Sequence, residues 1–99
     1  MGDRNPSIFI PYVSEVTTTD LIYSAIRRHR LGHIKKVDIV VTDRGRYVFI
    51  HFHRWYSHLP SVQQIRQMLN DHITVNLVHT FPWYWKCYKY QNVFSKKLK

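Results

Sequence analysis

Arg46-Tyr47-Val48-Phe49-Ile50-His51-Phe52-His53 is the stretch on which the fold turns. Its aromatic and aliphatic residues alternate with the period of two that a β-strand imposes. Val48, Ile50 and Phe52 share one face and read as an ordinary core face. Tyr47, Phe49 and His51 share the other, where a solvated strand would carry polar residues. Two neighbouring rings on that face, flanked by Arg44, Arg46 and Arg54, make a surface on which flat ligands stack. A strand buried on both faces would carry the same residues, with the rings as core.

Working outward, Asp43-Arg44-Gly45 reads as a short turn, and Lys36–Thr42 as the strand before it. The two strands form an antiparallel hairpin. Upstream, Ile22, Ala25, Ile26 and His29 recur at helical spacing and predict a helix from about Thr18 to Leu31. Thr17 is its expected N-cap, with Asp20 completing a capping box, and Gly32 its expected C-terminal cap. Ser7–Val13 is a first strand, whose ladder should end at Pro11, which lacks a backbone donor. Downstream, Arg54–Pro60 reads as a loop. Ser61 is placed to cap a second helix, with Gln64 at the capping-box position and Val62, Ile65, Met68 and Leu69 on its apolar face. Ile73–His79 is the last clear strand. Residues 80–99 form a basic, aromatic C-terminal extension to a single domain spanning 1–99, with its core over about 7–79.

The order is strand, helix, strand, strand, helix, strand, the split β-α-β arrangement of a ferredoxin-like fold. The expected class is therefore α+β, a four-stranded antiparallel sheet with two helices on one face. Val48, Ile50 and Phe52 should face the helices. Tyr47 and Phe49 should face out, and the same parity puts Phe9 on the open face.

Ile8-Phe9-Ile10-Pro11-Tyr12-Val13 is similar to the shorter RNP segment of the RNA-recognition motif (RRM). Gly45-Arg46-Tyr47-Val48-Phe49-Ile50-His51-Phe52 resembles the longer one. The resemblance covers roughly Ser7 to Val78 and implies base stacking on Phe9, Tyr47 and Phe49. The chain departs from the motif at Gly45, where a basic residue is usual, at Val48, where a small one is usual, and at Tyr12. Pro82-Trp83-Tyr84-Trp85-Lys86 is similar to a segment of uncharacterised RRM-like proteins of large DNA viruses, a likeness that implies no activity.

The charge agrees with a polyanionic partner: 15 Lys and Arg stand against 6 Asp and Glu, giving +9. The single cysteine, Cys87, excludes an intrachain disulfide and fits a reducing compartment. No apolar run approaches a membrane span and no secretory signal opens the chain. An intracellular location is expected, in nucleus, cytoplasm or virion. Catalytic patterns are missing: there are no paired carboxylates, no nucleophile elbow and no glycine-rich phosphate loop. The loop after the first strand, Pro11-Tyr12-Val13-Ser14-Glu15, has no glycine to cradle a phosphate. Seven histidines are scattered without the spacing of a zinc module, so no metal or cofactor is expected.

The reading is a non-enzymatic domain that binds single-stranded RNA or DNA. Phe9, Tyr47 and Phe49 stack bases, while Arg44, Arg46, Arg54, Lys86 and Lys89 contact phosphates. Tyr12, His51, Trp83 and Trp85 either extend the platform or close over it as a lid. Five rings between Trp83 and Tyr90 point to an added structural element rather than a loose tail. The alternative is a protein-interaction or virion-assembly module, homodimeric or with another protein, that uses the aromatic face or the C-terminal extension.

Overall fold

The computed structural model describes residues 4–91. In chain order the elements are β1 (Ile8–Val13), α1 (Thr19–Arg28), β2 (Gly32–Thr42), β3 (Gly45–Trp55), α2 (Pro60–Asn70), β4 (Val75–Thr80) and β5 (Trp83–Lys89). Over the described residues the fold is α+β: two helices and one open sheet of five strands in the order β2-β3-β1-β5-β4, every ladder antiparallel.

β3 holds the sheet together because its alternation matches both neighbours. Ile50 and Val48 lie opposite Ile8 and Ile10 on β1, and opposite Val37 and Ile39 on β2. These residues look toward the helices, and those of β1 and β3 are fully buried. Ile22, Ala25 and Ile26 of α1 and Val62 and Leu69 of α2 complete one continuous core. Helical spacing of these side chains puts a single apolar stripe of each helix on the sheet. α1 reaches both edge strands, β2 and β4, so the sheet wraps around it. At the β4 edge the Arg28 guanidinium donates to the His79 carbonyl at 2.9 Å, and His29 Nε2 bonds the Val78 carbonyl at 2.7 Å.

The helix termini differ from the sequence reading. Thr18, not Thr17, caps α1: its hydroxyl accepts from Leu21 N at 3.1 Å, while Thr17 is buried against Ser14. α2 begins earlier than a Ser61 cap allows, at Pro60 with Leu59 as N-cap and no capping side chain. Proline fits there because its missing N–H would have no helical partner anyway. Gly32 does not cap α1. That task falls to Arg30, at φ 55°, with Leu31 N bonded to Ile26 O and Arg30 N to Arg27 O. α2 ends the same way on His72, at φ 62°, with Ile73 N bonded to Met68 O and His72 N to Leu69 O. Both are Schellman closures made without glycine. Gly32 is instead a point of close approach: a Cβ there would lie 2.3 Å from the Arg54 carbonyl oxygen.

The expected four-stranded sheet, with Ile73–His79 as its last member, is corrected in two respects. The fourth strand starts at Val75, leaving Ile73 exposed outside it. It pairs with β5 and not with β1. The place beside β1 belongs to β5, formed by the aromatic segment after the turn at Phe81 and Pro82. Trp85 and Cys87 of β5 sit opposite Leu77 and Val75 and are buried with them. Those two inward side chains draw the segment into the sheet, since burying an indole removes some of the largest apolar area a residue offers.

Candidate functional site

The face of the sheet away from the helices carries the rings. Phe9 of β1 lies directly opposite Phe49 of β3, and the two stack with centroids 5.2 Å apart and planes 25° from parallel. Tyr47 stands edge-on to both, 5.8 Å from Phe9 and 5.5 Å from Phe49. All three are partly buried, and no helix covers them. Alternation produces this directly: each ring is one residue away from a core aliphatic of the same strand.

His51 continues the row. It is hydrogen-bonded to the Ser7 hydroxyl at 2.7 Å and lies 3.7 Å from the Asp38 carboxylate, which also approaches Lys36 at 3.5 Å. Asp38 is opposite Phe49 in the ladder, so a carboxylate stands beside the central ring.

β5 widens this face. Tyr88 lies opposite Phe9, and alternation along β5 puts Tyr84 and Lys86 on the same side. Just past the strand, Tyr90 N donates to the Ser7 carbonyl at 2.8 Å. The Tyr90 ring then packs edge-on to Phe49 at 4.9 Å and reaches His51 at 6.1 Å. Asp38 therefore joins the candidate site although the sequence reading does not single it out, and so do Tyr88 and Tyr90, which that reading counts only among the five rings of the C-terminal extension. The signal is parity: once β5 is recognised as a strand beside β1, every second residue from Tyr84 falls on the ring face, and Asp38 on β2 follows from its register opposite Phe49.

The other expected site residues divide. Arg44 is exposed in the β2–β3 turn, close to the Tyr47 end of the rings. Arg46 is turned aside, its guanidinium donating to the carbonyls of Ser14 and Glu15 and so tying down the loop between β1 and α1. Arg54 is exposed at the far end of β3, opposite His33. Lys86 is exposed on the ring face, whereas Lys89, opposite Ile8, has the parity of the core face. Tyr12 is 67% exposed and Trp83 68%, both outside the ring cluster. Trp85 is 4% exposed and is neither platform nor lid, because it points into the core. The segment Trp83–Trp85 does not fold over Phe9, Tyr47 and Phe49; it extends the sheet sideways.

Titratable groups nearby have structural duties. Burial pushes the Cys87 thiol up to about 12. His79 stacks on Trp85 at 4.3 Å; burial, and then the Arg28 guanidinium, hold its pKa below the ordinary imidazole value. Among the described residues, no three His, Cys, Asp or Glu side chains come together as a metal would require, and no helix is long and apolar enough to cross a membrane. The arrangement offers a partly exposed aromatic surface with cations at its margins and, among the described residues, the Asp38 carboxylate beside it. Comparison of the chain with family models, with characterised proteins and with solved structures yields no match.

Proposed function

We propose that this chain binds single-stranded nucleic acid on the helix-free face of its sheet, without catalysing a reaction on it. The observation that carries the reading is the cluster of Phe9, Tyr47 and Phe49 on the sheet face away from the helices, where each ring is partly exposed among the described residues. Bases stack on such rings with little dependence on sequence, each contributing about 1–3 kcal/mol. Pairing of β1 with β3, and of Phe9 with Phe49, agrees with the resemblance to the RNA-recognition motif. The strand set β2-β3-β1-β5, taken without the edge strand β4, supports a ferredoxin-like frame with one added hairpin arm. The charge of +9 supplies long-range attraction for the phosphates, with Arg44 and Lys86 the side chains best placed to meet them.

A second reading, a protein-assembly module, is favoured by a different group of rings. Tyr12, Trp83 and Tyr84 line a groove of about 470 Å³ together with Pro11 and Pro82, and the neighbouring Phe81 is 87% exposed. Exposed rings gathered in this way mark interaction surfaces on many proteins. The decisive experiment is titration of the domain with a fluorescent single-stranded oligonucleotide at several salt concentrations. The nucleic-acid reading expects saturable binding that weakens steeply with salt. Binding that is absent, or indifferent to salt, overturns it and leaves the assembly reading.

A further inference from the structure

The helix side of the molecule carries a second cleft, of about 620 Å³, far from the ring cluster. It opens between the end of α1, the start of β2 and the loop that leads into α2. Arg27 and Arg30 line it from the helix end, His33 from β2 and His58 from the loop, with Tyr23 and Tyr56 supplying rings. No acidic residue lines it among the described residues. Among the described residues the guanidinium groups of Arg27 and Arg30 make no hydrogen bond or ion pair, unlike those of Arg28, Arg46 and Arg66, which are engaged with backbone carbonyls. Four basic side chains thus line one concavity, with no carboxylate among the described residues that line it.

Arg30 makes the arrangement more pointed. It occupies the left-handed backbone position that closes α1, where glycine would sit without strain. The chain places an arginine there instead, and that arginine lines the cleft. Strain kept at a site that also bears unpaired charge is a reason to look for a ligand.

We propose that this cleft binds a phosphate ester carrying a flat ring, the chemistry of a nucleotide. The guanidinium groups of Arg27 and Arg30 take the phosphate oxygens, because planar donor forks match that geometry. His33 and His58 add donors at the rim. The walls contributed by Tyr23, Tyr56 and Ile34 receive the ring, an apolar surface of the kind ligand sites use. The same chemistry has two sources, a free nucleotide or the phosphorylated end of an oligonucleotide. The site is independent of the ring face on the other side of the sheet.

The test is an ¹H–¹⁵N NMR titration of the full chain with ADP, with inorganic pyrophosphate, and with a short oligonucleotide bearing either a 5′-phosphate or a 5′-hydroxyl. The expected result with ADP is saturable shifts at Arg27, Arg30, His33 and His58 and little movement at Phe9, Tyr47 and Phe49. Shifts there that need the 5′-phosphate of the oligonucleotide, with none from ADP, assign the site to a strand end and equally support it. The variant combining Arg27→Gln with Arg30→Gly should weaken ADP or strand-end binding at least tenfold. Arg30→Gly relieves backbone strain, so circular dichroism should report an intact fold in this variant. Failure of both ADP and the phosphorylated strand to move the cleft signals overturns the proposal, as does a double variant that binds within twofold of the parent. Pyrophosphate binding as tightly as ADP overturns the nucleotide assignment, since the ring would then contribute nothing. The ring-face reading is judged separately, by the shifts of Phe9, Tyr47 and Phe49 on adding the unphosphorylated oligonucleotide.

Discussion

Phe49 is the residue at which folding and the proposed recognition meet. It stacks on Phe9, abuts Tyr47 and is met edge-on by Tyr90, yet it is not sealed from solvent. Phe49→Ala should therefore weaken binding of a single-stranded oligonucleotide by about 1–3 kcal/mol. It should cost less stability than the roughly 3–5 kcal/mol typical of a fully buried phenylalanine. Denaturant unfolding and fluorescence titration of the one variant measure both, and a large stability loss with unchanged affinity would reassign the ring to the core. Asp38 acts in the opposite sense. Its carboxylate repels phosphates passing the central ring, so Asp38→Asn should tighten oligonucleotide binding several-fold at low salt and less so at high salt. Unchanged affinity at low salt would place the phosphate path elsewhere. Cys87 gives a pH signature. Its folded pKa, about 12, lies above its value in the unfolded chain, so the folded state holds its proton more tightly. The resulting stabilisation is complete below the ordinary thiol pKa and is lost as pH rises toward 12. Each pH unit in that window costs about 1.4 kcal/mol. The unfolding free energy of the parent should accordingly fall more steeply above the ordinary thiol pKa than that of Cys87→Ala, and parallel curves would contradict the assignment.

Among the elements, β5 is the hardest to place from sequence. The hairpin of β2 and β3 is plain in its alternation, as are β1 and the apolar stripes of both helices. Trp83–Lys89 also alternates, but with aromatic residues on both faces the contrast between inside and outside is weak. Nothing local says that Trp85 belongs against Leu77 or that Tyr88 belongs against Phe9; those are long-range pairings. The helix ends are obscure for a related reason. Glycine is the usual signal for a left-handed closure, and here Arg30 and His72 adopt it instead. For a non-glycine residue that backbone costs roughly 1 kcal/mol or more. His72→Gly should therefore raise the unfolding free energy by about 0.5–1 kcal/mol. The His72 ring is hydrogen-bonded to Gln91, so an increase smaller than this range would measure the value of that bond. Trp85→Ala tests β5 itself: about 3–5 kcal/mol of stability should vanish, as for other buried rings. A change near zero would mean that β5 is only loosely held.

On the scale of the whole molecule, two separate surfaces emerge from one sheet. The ring face is legible in the sequence up to its three central aromatics, because parity on two strands determines where they point. Its cationic margin is not, since side-chain charge says nothing about prior commitments: Arg46 holds a loop and Lys89 has the core-side parity. The salt dependence of binding should reflect this division. Arg44→Ala with Lys86→Ala should flatten the slope of log affinity against log salt by about 0.7 for each phosphate that is no longer neutralised. Arg46→Ala should act mainly on stability, by releasing the loop between β1 and α1. Equal slopes for the Arg44/Lys86 variant and the parent would exclude those two side chains from the phosphate path.

The pairing of β1 with β5 also has a consequence for how the chain is made. During synthesis β1 leaves the ribosome first among these strands and β5 last, yet they are neighbours within the sheet. At about 5–20 residues per second, β1 waits roughly 4–15 seconds for that partner. Until then Phe9 and the outer edge of β1 face solvent or a chaperone, with one row of backbone donors and acceptors unpaired. A nascent chain arrested before Trp83 should consequently remain open to proteolysis and sticky. One that has released Lys89 should close by joining two distant stretches of its own sequence, through the bond from Tyr90 to Ser7.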